Sequence, residues 1–329
     1  MGAEGLEPSV SIDVRLDPAA AQSALEADTR MGLTAVGKWL PPIWFYDDAG
    51  CELFDQITRL EEYYPTRTER SILDAHAHDI VTASGADTLV ELGSGTSEKT
   101  RLLLDALCDA DRLRRFVPLD VSEATLRSAS DAIAAEYGVP VEGVVGDFTR
   151  HLSHVPTGGQ RLVAFLGGTI GNLDPSQRAR FLLDVDATLV EGDTFLVGTD
   201  LVKDPARLVA AYDDGAGVTA AFNRNVLHRL NRELGADFQV DGFDHVAVWD
   251  EEMAWIEMRL RATRSMTAHL LALELDVAFE AGEELRTEIS AKFTPERIGA
   301  ELDEAGLAVR DSWTDPAGDF LLTLATPAV

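Results

Sequence analysis

The chain has 329 residues, 46% of them hydrophobic, so it can bury a sizeable core as one large domain or two ordinary ones. Its 57 acidic residues against 28 basic ones give a formal net charge of −29, with no lysine or arginine cluster, which argues against nucleic acid and anionic membranes as partners. Two cysteines far apart, Cys51 and Cys108, suggest neither a disulfide framework nor a zinc site, and no apolar run is long enough to span a membrane.

The first segment, Met1–Asp17, is acidic and lacks the basic and apolar regions of a secretion signal, so residues 1–13 are expected to form a flexible tail of a cytoplasmic protein. From Asp87 to Val202 apolar runs alternate with helical patterns. Strands are predicted at Thr88–Leu92, Phe116–Leu119, Val141–Val145, Leu162–Leu166 and Thr194–Val197, with helices at Lys99–Asp109, Glu123–Tyr137 and Pro175–Leu189. This alternation predicts an α/β fold with a mostly parallel, doubly wound (Rossmann-like) sheet, whose ligand lies beyond the carboxyl ends of the strands.

The first of these strands empties into Gly93-Ser-Gly-Thr-Ser-Glu98, a turn that brings backbone N–H groups close to a ligand. A dinucleotide fingerprint needs a third glycine where Glu98 stands, and a carboxylate there would oppose a diphosphate. S-adenosylmethionine (SAM) meets no such penalty. Asp120, after the second strand, can accept ribose hydroxyl hydrogens, or it can cap the following helix. Asp147-Phe148, after the third, can take the adenine amino hydrogen and stack on the base, or form a loop with a core ring. Lys99 faces the same turn as a candidate for the methionine carboxylate or as a plain surface lysine. The fourth strand ends in Gly167-Gly-Thr-Ile-Gly-Asn172, where Asn172 offers a donor and an acceptor to a substrate or caps the helix near Pro175.

Beyond Asp200 the pattern changes. Pro205–Glu233 reads as helical with a break at Gly215–Gly217, and antiparallel strands are predicted at His245–Trp249, Trp255–Arg261, His269–Phe279 and Leu285–Phe293. A second, α+β domain is inserted here. Pro295 starts a helix that runs to Gly306, and strands at Ala308–Trp313 and Phe320–Ala325 form a closing hairpin, as in the class I SAM-dependent methyltransferase fold.

A more specific resemblance rests on several strings taken together. They are Leu40-Pro-Pro-Ile-Trp-Phe-Tyr-Asp47, Leu53-Phe-Asp-Gln-Ile-Thr58, Glu62-Tyr-Tyr-Pro-Thr-Arg-Thr-Glu69, Leu92-Gly-Ser-Gly-Thr-Ser-Glu-Lys99, Gly168-Thr-Ile-Gly-Asn172 and Thr199-Asp-Leu-Val-Lys203. Tyr212-Asp-Asp, Ala221-Phe-Asn-Arg-Asn225 and Glu288-Ile-Ser-Ala-Lys-Phe293 complete them. In this order they resemble the histidine-specific SAM-dependent methyltransferases, the L-histidine Nα-methyltransferases of ergothioneine biosynthesis. The strand-end residues Gly93, Gly95, Lys99, Asp120, Asp147 and Phe148 make up the expected cofactor site, and no metal is expected, since none of the seven histidines has metal-ligand spacing. The resemblance implies a histidine substrate between the domains, its amino-acid end held by Tyr63, Asn172 and Tyr212 and its imidazole by Glu288 and Ser290. Tyr46 is implied to complete the pocket and Met258 to shape its ring end, with Tyr46, Tyr63, Asn172 and Tyr212 as the catalytic set.

The implied domains are 67–203 with 294–329 for SAM, and 14–66 with 204–293 for the substrate. The related tryptophan-methylating branch lacks the glutamate of the imidazole site, so Glu288 favours histidine. Elementary chemistry agrees, since a desolvated imidazole N–H needs an acceptor and Ser290 shares a strand face with Glu288. Without the resemblance, both residues would read as a solvated strand face. The expected activity is transfer of up to three methyl groups to the α-amino nitrogen of histidine by a monomer, giving trimethylhistidine (hercynine). Alternatives are another aromatic amino acid such as tryptophan, a nicotinamide-dependent oxidoreductase, or a SAM-binding module without catalysis. No dedicated general base stands out.

Overall fold

The computed structural model describes residues 9–328, and the chain falls into two units, each assembled from separate stretches of sequence. It opens with β1 (Val10–Val14), α1 (Pro18–Leu33), α2 (Asp48–Ile57) and α3 (Pro65–Ser84). There follow β2 (Thr88–Leu92), α4 (Arg101–Asp109), β3 (Arg115–Asp120), α5 (Glu123–Tyr137) and β4 (Val141–Val145). Next come β5 (Arg161–Phe165), α6 (Pro175–Thr188), β6 (Thr194–Asp200), α7 (Pro205–Tyr212) and α8 (Val218–Glu233). Five strands succeed them: β7 (Phe243–Asp250), β8 (Trp255–Ala262), β9 (Met266–Leu270), β10 (Leu275–Phe279) and β11 (Glu284–Ala291). The chain closes with α9 (Pro295–Glu304), β12 (Leu307–Thr314) and β13 (Phe320–Pro327).

The first unit takes the residues up to Asp17, Arg67–Leu201 and the chain from Phe293 onward. Its eight-stranded sheet has the order β1-β4-β3-β2-β5-β6-β13-β12. β1 to β6 run parallel, and β13 and β12 close the edge antiparallel. β2 and β5 are buried along their whole length, as parallel strands covered on both faces must be. Winding reverses between β2 and β5, the place where such sheets bind ligands. Helix starts follow their caps: Ser122 accepts from the Thr125 N–H at α5, and Asp174 forms a capping box with Gln177 at α6. These caps answer two open alternatives, because neither Asp120 nor Asn172 caps the helix that follows it.

One expectation is corrected. Val10–Val14, placed largely in a flexible tail, is an ordered edge strand whose register pairs Val10 with Val141 and Val14 with Val145. Glycine at position 143 leaves room for Ile12, whose Cδ1 would lie 2.7 Å from a Cβ there. The rest of that expectation, residues 1–8, lies outside the described residues.

The second unit takes Pro18–Thr66 and Val202–Lys292. It holds the antiparallel sheet β11-β8-β7 and the hairpin β9-β10. Leu25, Phe45, Leu208, Phe222, Leu227, Leu260 and Leu285 belong to its buried core. The single strand expected over His269–Phe279 is in fact two, because a 3-10 turn at Leu271–Leu273 and Glu274 at φ +45° reverse the chain. Among the described residues no helix is long and apolar enough to cross a membrane.

Candidate active site

In the first unit the strand ends at the reversal carry the predicted cofactor residues. β2 runs into Gly93 at φ +71° and Gly95 at φ +49°, conformations that glycine alone adopts without strain. A Cβ on either would meet no atom of the chain within 4 Å, so the space beside the turn is open to a ligand. The Gly93 and Ser94 N–H groups donate to the Leu119 carbonyl, at 2.8 and 3.1 Å. Asp120, at the end of β3, accepts the Gly95 N–H and the Ser122 N–H, each at 2.8 Å. Burial raises its carboxyl above the ordinary range against these hydrogen bonds. The Val121 N–H also hydrogen-bonds this carboxylate, so three backbone donors leave it room to accept a further hydroxyl.

Lys99 precedes α4 and forms an ion pair with Glu69, a fully buried carboxylate of α3. Glu69 also accepts the Gly167 N–H at 2.7 Å, which ties the turn after β5 to Lys99. Asp147 follows β4 and accepts from the Thr149 N–H at 2.8 Å. Phe148 lies half-buried with its ring centroid 4.9 Å from Phe165 and 5.6 Å from Phe181, so one side of it belongs to the core. Asn172 ends the 3-10 turn Thr169–Asn172 after β5. A groove of about 830 Å³ runs beside α4 and α5, lined by Arg70, Thr96, Glu98, Arg101 and Thr125 among others; none of the predicted cofactor residues lines it.

Sequence reading passes over Glu91, although it interrupts an otherwise apolar β2 and so carries a visible signal. Buried beneath the turn, it accepts from Ser97 Oγ at 3.0 Å and from Thr100 Oγ1. Ser97 itself stands at φ +53°. Burial pushes the Glu91 carboxyl up to about 7, while Thr100, Ser97 and the Lys99 charge pull the other way.

In the second unit the predicted tyrosines form a chain of rings. Tyr46 stands 5.7 Å from Phe54, Phe54 stands 6.2 Å from Tyr63, and Tyr63 stands 6.2 Å from Tyr212, all edge-on. Burial raises the Tyr46 phenol well above its ordinary value, with Glu288, Tyr63, Cys51 and Tyr212 adding to the effect. The residue as a whole is nevertheless 36% exposed. Glu288 pairs in register with Met258 of β8, and Ser290 with Ile256, after a bulge between Arg286 and Glu288. Glu288 and Ser290 therefore share a face of β11, with Met258 directly across from Glu288. Tyr212 Oη lies 2.7 Å from Ser290 Oγ.

The Ala221-Phe-Asn-Arg-Asn225 string is explained by what its asparagines hold. Asn225 donates to the Phe45 carbonyl at 3.2 Å and to Asp47 Oδ1 at 2.7 Å, on either side of Tyr46. Asn223 lies 2.8 Å from Nδ1 of buried His245, whose Nε2 lies 2.7 Å from the Tyr212 carbonyl. Burial lowers the His245 pKa, so the ring is neutral, with Nε2–H donating to Tyr212 and Nδ1 accepting from Asn223. Six of the seven predicted substrate residues thus belong to the second unit, and Asn172 belongs to the first.

A sheet ordered β4-β3-β2-β5-β6-β13-β12, with a glycine turn after β2 and an acid after β3, is the class I SAM-dependent methyltransferase architecture. The family model for "Histidine-specific methyltransferase, SAM-dependent" matches residues 25–327. The chain is 61% identical to a histidine N-alpha-methyltransferase of Mycolicibacterium smegmatis, over 93% of this chain and 95% of that one. It is 56% identical to the protein of the same name in Mycobacterium tuberculosis, over 96% and 99%. It is 31% identical to ergothioneine biosynthesis protein 1 of Neurospora crassa, over 84% of this chain but 32% of that longer protein. The chain belongs to the histidine-specific, SAM-dependent methyltransferase family.

Proposed function

We propose that the enzyme transfers methyl groups from SAM to the α-amino nitrogen of L-histidine, up to three times, to give trimethylhistidine (hercynine) in ergothioneine biosynthesis. The observation that carries this reading is the near-full-length identity to two proteins named histidine N-alpha-methyltransferase. In support, an acceptor and a hydroxyl, Glu288 and Ser290, stand on one strand face of the unit that holds the tyrosine rings.

SAM supplies an electrophilic methyl group on a sulfonium. The open, positive-φ turn at Gly93 and Gly95 suits a ligand approached by backbone, and Asp120 suits its ribose. Lys99, Asp147 and Phe148 complete that proposed set. Tyr63, Asn172 and Tyr212 would hold the amino-acid end of histidine, Glu288 and Ser290 the imidazole, with Tyr46 and Met258 completing the pocket. The reacting amine must be neutral, and desolvation among aromatic rings favours that form. Orientation of its lone pair carries much of the catalysis. The faces of Tyr46 and Tyr63 offset part of the cost of holding a growing cation.

We also take the enzyme to act as a monomer in the reducing cytoplasm, where Cys51 and Cys108, both free thiols, would stay reduced. Size-exclusion chromatography with light scattering reads the oligomeric state. Incubation with SAM and histidine followed by mass spectrometry tests the activity: methylated histidine supports it, and methylation of tryptophan in its place overturns it.

A further inference from the structure

Lys292 is a buried ammonium that none of the roles above uses. It is 1% exposed and follows Ser290 by two residues, immediately after β11. Its Nζ donates to Ser290 Oγ at 2.9 Å and to Tyr212 Oη at 3.0 Å, and it lies 4.7 Å from the Tyr212 ring centroid. With the two hydroxyls 2.7 Å apart, the three groups close a triangle. An ammonium can only donate, so it occupies one lone pair on each oxygen. Either hydroxyl can donate across this contact, and the phenol, a stronger acid than an aliphatic alcohol, is the better donor, which favours the arrangement with the Tyr212 hydrogen on Ser290. Both lone pairs of Ser290 are then taken. What Ser290 has left to offer is its own hydrogen, whereas Glu288, two residues earlier on the same face, offers an acceptor.

We propose that Lys292 is a specificity-determining positioning residue: together with Tyr212 it saturates the Ser290 oxygen, turning Ser290 into a donor opposite the Glu288 acceptor. That pair matches a ring with one N–H and one unprotonated nitrogen, the neutral imidazole. Indole has no accepting nitrogen, and imidazolium presents a second N–H where Ser290 already points a hydrogen. This inference rests on the proposed reading of Glu288 and Ser290 as the imidazole site.

The test is a double-mutant cycle on the full chain with Lys292→Met, Ser290→Ala and the double variant. Steady-state kinetics with histidine and calorimetry with S-adenosylhomocysteine are the readouts. Lys292→Met should lower kcat/KM for histidine about 10- to 100-fold, mainly through KM, as expected for a lost charge-assisted hydrogen bond. Affinity for S-adenosylhomocysteine should stay within about twofold, and the substitution should cost less in the Ser290→Ala background than in the wild type. Lys292→Gln, which keeps N–H donors without the charge, should recover most of the histidine KM, and Lys292→Leu, which also lacks donors, stands in if the methionine variant does not fold. Additive losses, an unchanged KM, or a parallel loss of S-adenosylhomocysteine binding would overturn the role of Lys292. A wild type that leaves histidine untouched would instead remove the functional reading beneath it.

Discussion

At the residue scale, Gly93 separates ligand space from protein packing. At φ +71° an added Cβ touches nothing in the chain, so its cost is backbone strain of about 1–2 kcal/mol rather than a clash. Gly93→Ala should therefore stay folded yet bind S-adenosylhomocysteine at least about tenfold more weakly by calorimetry, as when a built-in methyl occupies ligand space. Unchanged affinity would take this turn out of the cofactor site. Glu288→Ala leaves a desolvated N–H without its acceptor, so kcat/KM for histidine should fall by about tenfold or more. S-adenosylhomocysteine affinity should hold, and equal losses in both would assign Glu288 to folding.

Glu91 yields a pH prediction. Its carboxyl ionises near 4.5 under ordinary conditions and at about 7 in the folded protein. Between these values the folded protein keeps a proton that the unfolded chain has released, so this group's contribution to stability declines as pH rises through that window. Glu91→Gln removes the decline, and its stability relative to the wild type should rise by at most about 1.4 kcal/mol per pH unit there. Urea unfolding of both proteins from pH 5 to pH 8 gives the comparison. Parallel profiles would refute the assignment.

At the scale of elements, the Asn225 side chain bridges α8 to the segment between Trp44 and α2 that carries Tyr46. Asn225→Ala breaks both hydrogen bonds and should cost about 1–3 kcal/mol of stability by urea unfolding. The histidine KM should rise with little change in S-adenosylhomocysteine binding, and a KM equal to that of the wild type would show that Tyr46 keeps its place without this tie. The central strands were legible because buried parallel strands read as unbroken apolar runs, and their glycine and aspartate ends follow directly. β1 was not, because five residues of Val-Ser-Ile-Asp-Val inside an acidic segment show no sign of their partner, β4, which lies far along the chain. Nor was the β9-β10 reversal, which turns on Glu274 in a left-handed conformation that sequence does not announce. Lys292 escaped for a related reason: lysine is rarely buried, and its partners emerge only when α7 and β11 are folded.

At the scale of the whole molecule, the second unit interrupts the first twice in sequence, so each core is assembled from distant segments. The change from alternating strands and helices to antiparallel strands after Asp200 made the second of these interruptions readable. The first, Pro18–Thr66, was assigned through family strings rather than periodicity, since its helices resemble any amphipathic helix. A net charge of −29 opposes compaction, so thermal stability should increase as NaCl is raised to about 0.15 M. A decrease would mean that surface ion pairs outweigh self-repulsion. The central claim is three methyl transfers to one nitrogen of histidine, and a mass-spectrometric time course with SAM and L-histidine tests it most directly. Monomethyl-, dimethyl- and trimethylhistidine should appear in turn, with each intermediate consumed when supplied alone. Monomethylhistidine as the sole end product would contradict trimethylation, and unmodified histidine beside folded enzyme that binds S-adenosylhomocysteine would contradict the account itself.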